Sequence, residues 1–184
     1  MNGADDEVTR WALQARGGDR DALERFVRAT QRDVWRFVAH LADVGVADDL
    51  AQETFLRALP SLRYFEARSS ATTWLLSIAR RVVIDQVRMA RSRPRVSADV
   101  DWVQAADRGR SASSDFTDVV ALNLLLDGLA AERREALVLT QVLGLGYAEA
   151  AEVADCPIGT IRSRVARARE DLVRAAGSDA SETG

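Results

Sequence analysis

The chain has 184 residues, 47% apolar and 29% charged, an ordinary globular balance that excludes wholesale disorder. No apolar run approaches the roughly 20 residues that span a bilayer, and residues 1–7 are acidic where a signal peptide would be basic, so we expect a cytoplasmic protein with no membrane partner. One cysteine and one histidine exclude an internal disulfide and a Cys/His metal site, and we expect no metal or cofactor.

The charges are unevenly distributed along the chain. All 25 basic residues are arginines and they concentrate in residues 80–95 and 162–174, whereas acidic residues gather in residues 43–53 and in the middle of the chain, for a net charge of −3. The two basic stretches predict two contacts with a polyanion, and the acidic stretch predicts a separate basic partner.

Residues 8–95 have the apolar period of α-helices and almost no strand-like alternation. A first long apolar face occupies residues 26–41 and stops near Gly45, and a second helix is predicted over residues 47–59. Three residues of the second helix share one polar face: Asp49, Gln52 and Glu53.

A loop and a long helix follow in the sequence. Pro60 and residues 64–70 are typical of a loop. Thr72 or Thr73 could then cap a long helix that Pro94 ends.

Residues 96–115 lack an apolar period and are rich in Ser, Asp, Arg and Ala, which predicts a flexible linker. The helical period resumes in residues 116–176, and the small polar residues 177–184 predict a disordered tail. The fold class is therefore all-α, with a larger helical domain in residues 1–95 and a smaller one in residues 116–176.

The last third of the chain predicts a helix-turn-helix, with residues 147–154 as the first helix, 155–157 as the turn and 158–174 as the second helix. The second helix has an apolar stripe toward the core and an opposite face of small and basic side chains that suits the major groove of DNA. Such a helix taken alone is as often a merely solvated face. On or beside its outward face lie Thr160, Arg162, Ser163, Arg164, Ala166 and Arg167.

This segment resembles the region-four signature of the extracytoplasmic-function (ECF) sigma factors of the sigma-70 family. The resemblance is carried by Pro-x-Gly-Thr-x-x-Ser-Arg-x-x-Arg-Ala-Arg, beginning at Pro157. It implies that the second helix reads the minus-thirty-five promoter element through Thr160, Arg162, Ser163, Arg164 and Arg167. Two positions depart from the signature: Asp155 replaces the usual turn Gly, and Gly146 replaces the usual Ser cap, and both residues suit those conformations.

Residues 48–59 resemble region 2.2 of the same family. The resemblance implies that this helix grips the clamp helices of the largest polymerase subunit through Asp48, Asp49, Gln52 and Glu53. Taken alone, an exposed acidic face would be the simpler explanation. The presence of both motifs in the family's order favours polymerase binding.

Residues 69–88 resemble regions 2.3 and 2.4, which act on the minus-ten element. The resemblance implies that residues 65–70 form a pocket for a flipped base while arginines follow the displaced strand. Many relatives carry Asn where this chain has Arg81, and Trp74 could stack on the strand although a Trp in an apolar stripe is usually core. The implied minus-ten residues are Arg68, Ser69, Ser70, Trp74, Arg80, Arg81, Arg88 and Arg91.

Together the motifs cover most of residues 21–172 and most resemble the sigma factor C branch. The resemblance implies a non-enzymatic factor that directs core RNA polymerase to promoters and helps melt them. The implied partners are the clamp helices and the flap of the two large polymerase subunits, duplex and single-stranded promoter DNA and, where one exists, an anti-sigma factor. The main alternative is a stand-alone helix-turn-helix regulator that does not bind polymerase, which leaves the acidic face and residues 69–95 unexplained. A hydrolase or transferase would need a phosphate loop or a nucleophile–base pair, and the sequence offers neither.

Overall fold

A computed structural model of the chain describes residues 3–92 and 114–181, which fold entirely into helices and connecting turns. Its helical composition confirms the all-α prediction. Pro94 and nearly all of the predicted linker fall outside the described residues. The described residues form eight α-helices: α1 (Gly3–Arg16), α2 (Arg20–Leu41), α3 (Ala47–Ser61), α4 (Ala71–Ser92), α5 (Ser114–Leu126), α6 (Ala131–Leu137), α7 (Tyr147–Ala154) and α8 (Ile158–Ser181).

The first half of the molecule is a bundle of α1 to α4 around the long helix α2. Gly18 turns the chain between α1 and α2 with a φ of +97°, a conformation that glycine adopts freely. Asp19 then caps α2 by accepting a hydrogen bond from the Ala22 amide at 3.0 Å. Helix α2 buries Phe26 and Phe37 completely, so its apolar face is the centre of the bundle core.

Helix α3 extends beyond the residue that the sequence predicts as the start of a loop. Pro60 lies inside its last turn, and a 3-10 turn from Leu62 to Tyr64 follows. Proline has no amide hydrogen to donate to the Leu56 carbonyl, and both Leu56 and Pro60 are exposed at this end of the helix. The loop proper therefore begins at Phe65.

Helix α4 is capped by Ser70 and not by Thr72 or Thr73, so that prediction was wrong. The Ser70 hydroxyl accepts a hydrogen bond from the Thr73 amide at 3.1 Å, the N-cap arrangement. The Thr73 hydroxyl lies 2.8 Å from the same Ser70 oxygen, and the Thr72 hydroxyl donates to Asp5 at 3.1 Å. Both threonines therefore support the first turn from inside the helix.

Helices α5 to α8 form the second half. Helix α6 continues into a π-helical turn over Val138–Val142. Helix α8 runs to Ser181, seven residues past the predicted end at Arg174, so the first residues of the predicted disordered tail are helical. The buried apolar side chains of the two halves form one continuous cluster. Helix α4 packs against α7, and α2 packs against α5 and α6. Among the described helices, none is both long enough and apolar enough to cross a membrane.

Candidate nucleic-acid interface

The outward face of α8 is open to solvent. Its opposite face buries Ile161, Val165 and Ala168 against α6 and α7, which fixes the rotation of the helix. Four side chains of the outward face are exposed, in agreement with the helical wheel: Arg162, Ser163, Ala166 and Arg167. The geometry thus brings two guanidinium groups and two small residues together on one convex surface.

The flanks of this face are partly enclosed. Thr160 and Arg164 are half-buried, and Arg164 Nη1 donates to the Sγ atom of Cys156 at 3.7 Å. Cys156 is itself half-buried in the turn, in keeping with a packing role. Thr160 and Arg164 therefore border the accessible surface and do not stand at its centre.

The helix-turn-helix accommodates both departures from the family signature, one at each end of α7. Asp155 adopts the left-handed conformation, with φ +50° and ψ 54°, that a glycine usually supplies. At the start of α7, the Gly146 amide donates to Glu149 Oε2 at 3.0 Å, the side-chain-to-backbone half of a capping box. The helix-turn-helix geometry is retained with these two substitutions.

Side-chain contacts also join α8 to α6 and to the π-helical turn that follows it. Arg133 forms an ion pair with Asp171, and Arg169 Nη2 donates to Gln141 Oε1 at 2.9 Å. These contacts distinguish Arg169 from Arg167, two residues earlier on the same helix. Arg169 is bonded within the protein, whereas Arg167 is on the outward face.

Two members of the acidic face of α3, Asp48 and Glu53, bond to other side chains of the bundle. Asp49 and Gln52 are exposed. Asp48 Oδ1 accepts a hydrogen bond from the Trp35 indole at 2.8 Å. Glu53 holds Arg57 at 2.7 Å, and the same Arg57 side chain bonds to Asp85 on α4 at 2.7 Å. The structure therefore leaves Asp49 and Gln52 as the open centre of this face.

Two exposed leucines continue the acidic face toward the C-terminal end of α3. Leu56 is 60% exposed and Leu59 is 38% exposed. Their spacing of four and seven residues from Gln52 places them on the same side of the helix. The sequence reasoning missed them because it considered only the polar members of the stripe, although the spacing itself was visible.

The loop of residues 65–70 is ordered by packing at its first residue. Phe65 is buried, and its ring centroid lies 5.1 Å from that of Trp74, which is half-buried against the core. Trp74 thus packs against the core with part of its side chain still accessible. At the tip of the loop, the exposed Arg68 pairs with Glu66 at 2.7 Å.

The predicted minus-ten arginines of α4 lie in different surroundings. Arg80 Nε is 2.6 Å from Glu135 Oε1 on α6, and only 24% of the Arg80 side chain and 7% of the Glu135 side chain are exposed. Arg81 and Arg88 are exposed. The Arg91 side chain falls outside the described residues. The second half of the molecule therefore covers one end of this stripe.

A buried polar cluster joins α2 to the second half beside this ion pair. His40 is fully buried, and its Nδ1 lies 2.7 Å from Asn123 Oδ1. Arg134 Nη2 donates to the same oxygen at 2.8 Å, and Asn123 Nδ2 donates to the Ala39 carbonyl at 2.9 Å. Because Asn123 Oδ1 can only accept, the geometry assigns the proton of the neutral His40 ring to Nδ1.

Burial is the largest influence on His40 and lowers its pKa. The hydrogen bond with Asn123 opposes this shift, while the positive charges of Arg134 and Arg36 lower the pKa further. His40 Nε2 has no hydrogen-bond partner among the described residues. The lowered pKa favours the neutral form of the imidazole at the contact between the two halves.

Two family models match the chain. Residues 26–93 match the model described as Sigma-70 region 2, and residues 120–172 match the model described as Sigma-70, region 4. The ECF RNA polymerase sigma factor SigC of Mycobacterium tuberculosis is 55% identical over 175 residues, which cover 95% of this chain and 94% of the relative.

Solved structures with a similar fold include CnrH in complex with the cytosolic domain of CnrY, with a TM-score of 0.73 at 21% identity over 94% of this chain and 99% of that one. The sigma factor RpoE, solved in complex with the anti-sigma factor NepR from Bartonella quintana, has a TM-score of 0.64 at 26% identity over 85% of this chain and 98% of that one. The likeness to CnrH concerns the fold alone.

Proposed function

The chain belongs to the extracytoplasmic-function sigma factors of the sigma-70 family, and from that membership we propose how its surfaces divide the work of promoter recognition. It directs core RNA polymerase to promoters and helps melt the DNA at initiation. In the proposed division, α8 reads the duplex minus-thirty-five element, α4 and residues 65–70 act on the melted minus-ten element, and α3 holds the polymerase.

The exposed face of α8 carries the minus-thirty-five assignment. Arg162 and Arg167 lie on either side of the small residues Ser163 and Ala166, so the helix backbone can approach base edges while the guanidinium groups reach guanine or phosphate. Arg164 and Thr160 contact the DNA backbone from the flanks. This arrangement supports reading of a duplex and has no aromatic surface on which unstacked bases could lie.

The loop and α4 suit the opposite task. A flipped base needs a pocket at a fixed position and a basic track for the displaced strand. Residues 65–70 provide a loop with buried ends, and Ser69 and Arg68 are its polar members near the tip. Arg81 and Arg88 on α4 provide exposed positive charge, and Arg80 joins them when it is released from Glu135.

The acidic face of α3 is the proposed surface for the clamp helices of the largest polymerase subunit. Asp49 and Gln52 are exposed, and Asp48 and Glu53 are fixed beside them by Trp35 and Arg57. Leu56 and Leu59 add an apolar edge to the same face. A basic and partly apolar helical partner complements such a surface.

The proposal extends to domains and partners. Residues 1–95 form the region 2 domain and residues 116–176 the region 4 domain, joined by residues 96–115, and α8 extends past the second domain boundary to Ser181. The region 4 domain meets the flap of the second-largest subunit. Because a relative is solved with the anti-sigma factor NepR, we extend that class of partner to this chain. The protein acts in the cytoplasm and catalyses no reaction of its own, since the polymerase performs the chemistry.

Run-off transcription with purified core polymerase on a randomised promoter library tests the proposal. Specific transcripts that depend on the added chain, with selected bases at both the minus-thirty-five and minus-ten elements, are the expected result. Binding to duplex DNA without retention of core polymerase in a pull-down would instead identify a stand-alone helix-turn-helix regulator.

A further inference from the structure

Helix α1 holds both ends of the loop between α3 and α4, although it lies before the segment that matches Sigma-70 region 2. Arg16 Nη1 donates to the Phe65 carbonyl oxygen at 2.9 Å, where the loop leaves the 3-10 turn. Thr9 Oγ1 accepts a hydrogen bond from the Ala71 amide at 3.0 Å, where the loop enters α4. The two contacts therefore bracket residues 66–70.

The contact of Thr9 completes the cap of α4. The Ala71 amide is the first of the helix and has no acceptor within it. Ser70 already accepts from the Thr73 amide, and Thr72 donates to Asp5 of α1 at 3.1 Å. The whole first turn of α4 is thereby fixed relative to α1.

The loop between these anchors is in a conformation that needs support. Ala67 has a φ of +53°, in the left-handed region that a Cβ atom disfavours. Such a conformation persists where the surroundings hold it in place. Here the anchors are Arg16 and Thr9, together with the ring of Phe65 packed on Trp74.

We propose that α1 is a brace for the base-capturing loop and that Arg16 and Thr9 are positioning residues that set its base preference. The inference rests on the proposed function of residues 65–70. A pocket discriminates between bases through a few polar groups at fixed places, and a displacement of about 1 Å is enough to impair such a site. Release of either end of the loop should therefore weaken discrimination more than overall affinity for DNA.

The test uses the full chain assembled with core polymerase and single-stranded non-template oligonucleotides that carry each of the four bases at each minus-ten position. Arg16→Ala should lower the ratio of Kd between the worst and best base by roughly three- to tenfold, which corresponds to the net contribution of one typical intramolecular hydrogen bond. Arg16→Lys retains a donor and should restore part of the ratio. Thr9→Val, which keeps the shape of the side chain, should lower the ratio in the same direction, and Thr9→Ser should restore it.

Arg10→Ala is the matched control, since it removes the same charge from an exposed position of α1. Arg68→Ala combined with Ser69→Ala tests the loop directly. If the loop variant loses discrimination while the Arg16 and Thr9 variants keep the wild-type ratio, the brace is overturned and the loop's function stands. If the loop variant also keeps the ratio, the loop is not the pocket and both proposals fail. An equal loss of affinity for all four bases in Arg16→Ala, without recovery in Arg16→Lys, would likewise overturn the brace.

Discussion

Helices α4 and α8 carry the two arginine-rich faces of the molecule, and their arginines have different surroundings. On α8, Arg162 and Arg167 face solvent, and the helix is held from behind by contacts to α6. On α4, Arg80 is paired with the buried Glu135 of the second half. The difference teaches that the α8 face is open to solvent as it stands, whereas one arginine of the α4 face is engaged within the protein.

A charge reversal on α3 should have the largest effect. Loss of core polymerase would remove the function of both arginine-rich faces together. Asp49→Arg places a positive charge at the exposed centre of the acidic face, opposite a basic partner, and should lower affinity for core polymerase by roughly 100-fold or more. Pull-down with purified core polymerase measures the loss, and circular dichroism checks that helix content is unchanged. Asp21→Arg, an equal charge reversal at an exposed residue of α2, is the control. Wild-type retention of core by the Asp49 variant would remove α3 from the interface.

A smaller effect should be confined to α8. Arg167→Ala removes a groove contact that contributes about 1–3 kcal/mol if it is bidentate to guanine, which is roughly 5- to 150-fold in Kd. Holoenzyme binding to duplex promoters with single-base changes should show weaker binding and relaxed preference within the minus-thirty-five element. Arg169→Ala removes the same charge from the same helix, but at a side chain bonded to Gln141, and should leave the preference intact. Identical behaviour of the two variants would indicate a general electrostatic role only.

Removal of the ion pair between Arg80 and Glu135 should change DNA binding by α4 and not by α8. Glu135→Gln keeps the size of the side chain but removes its charge, and should lower the free energy of unfolding by roughly 1–3 kcal/mol because Arg80 loses a buried partner. The same change should raise the affinity of the free chain for single-stranded minus-ten DNA and leave its affinity for the duplex minus-thirty-five element unchanged. Urea denaturation and fluorescence anisotropy measure the two quantities, with the exposed Glu132→Gln as control. No gain in single-strand affinity would show that the ion pair does not restrain Arg80.

The smallest effect concerns pH and the buried histidine between the halves. The folded pKa of His40 is lowered by burial and by Arg134 and Arg36, so the unfolded chain binds the proton more readily than the folded one. The contribution of His40 to stability is therefore complete above pH about 6.5, the ordinary value, and declines as the pH falls toward the folded pKa. Denaturation at pH 7.5 and 5.5 should show a greater loss in the wild type than in His40→Gln. Equal losses would place the acid sensitivity elsewhere.

Much of the fold could be predicted from the sequence because it depends on helical periodicity. The apolar stripe of α8 predicted its outward face, and the tolerance of Asp155 for a left-handed turn was predicted from residue type alone. The predicted cap of α4, Thr72 or Thr73, was wrong because Ser70 is an equally good local candidate, and the hydrogen bond from the Thr73 amide shows that Ser70 is the cap.

The sequence could not predict which side chains of the candidate site are bonded to other parts of the protein, because these bonds join distant segments of the chain. Arg80 and Glu135 are separated by 55 residues, and Arg16 and Phe65 by 49. No residue spacing within one helix predicts such pairs. For the same reason, the hydrogen bond from Trp35 to Asp48, 13 residues away, was not predicted, although both residues lie within the same bundle.

Duplex and premelted templates compared side by side test the division between α4 and α8 most directly. Holoenzyme with Arg81→Ala and Arg88→Ala should bind the duplex promoter nearly as wild type, show reduced permanganate reactivity of unpaired thymines, and recover much of its transcription on a template with a premelted bubble. Holoenzyme with Arg167→Ala should lose recruitment to the duplex yet open the promoters that it binds. Equal loss of transcription on duplex and premelted templates by the α4 double variant, or a changed minus-thirty-five preference, would contradict the division of labour.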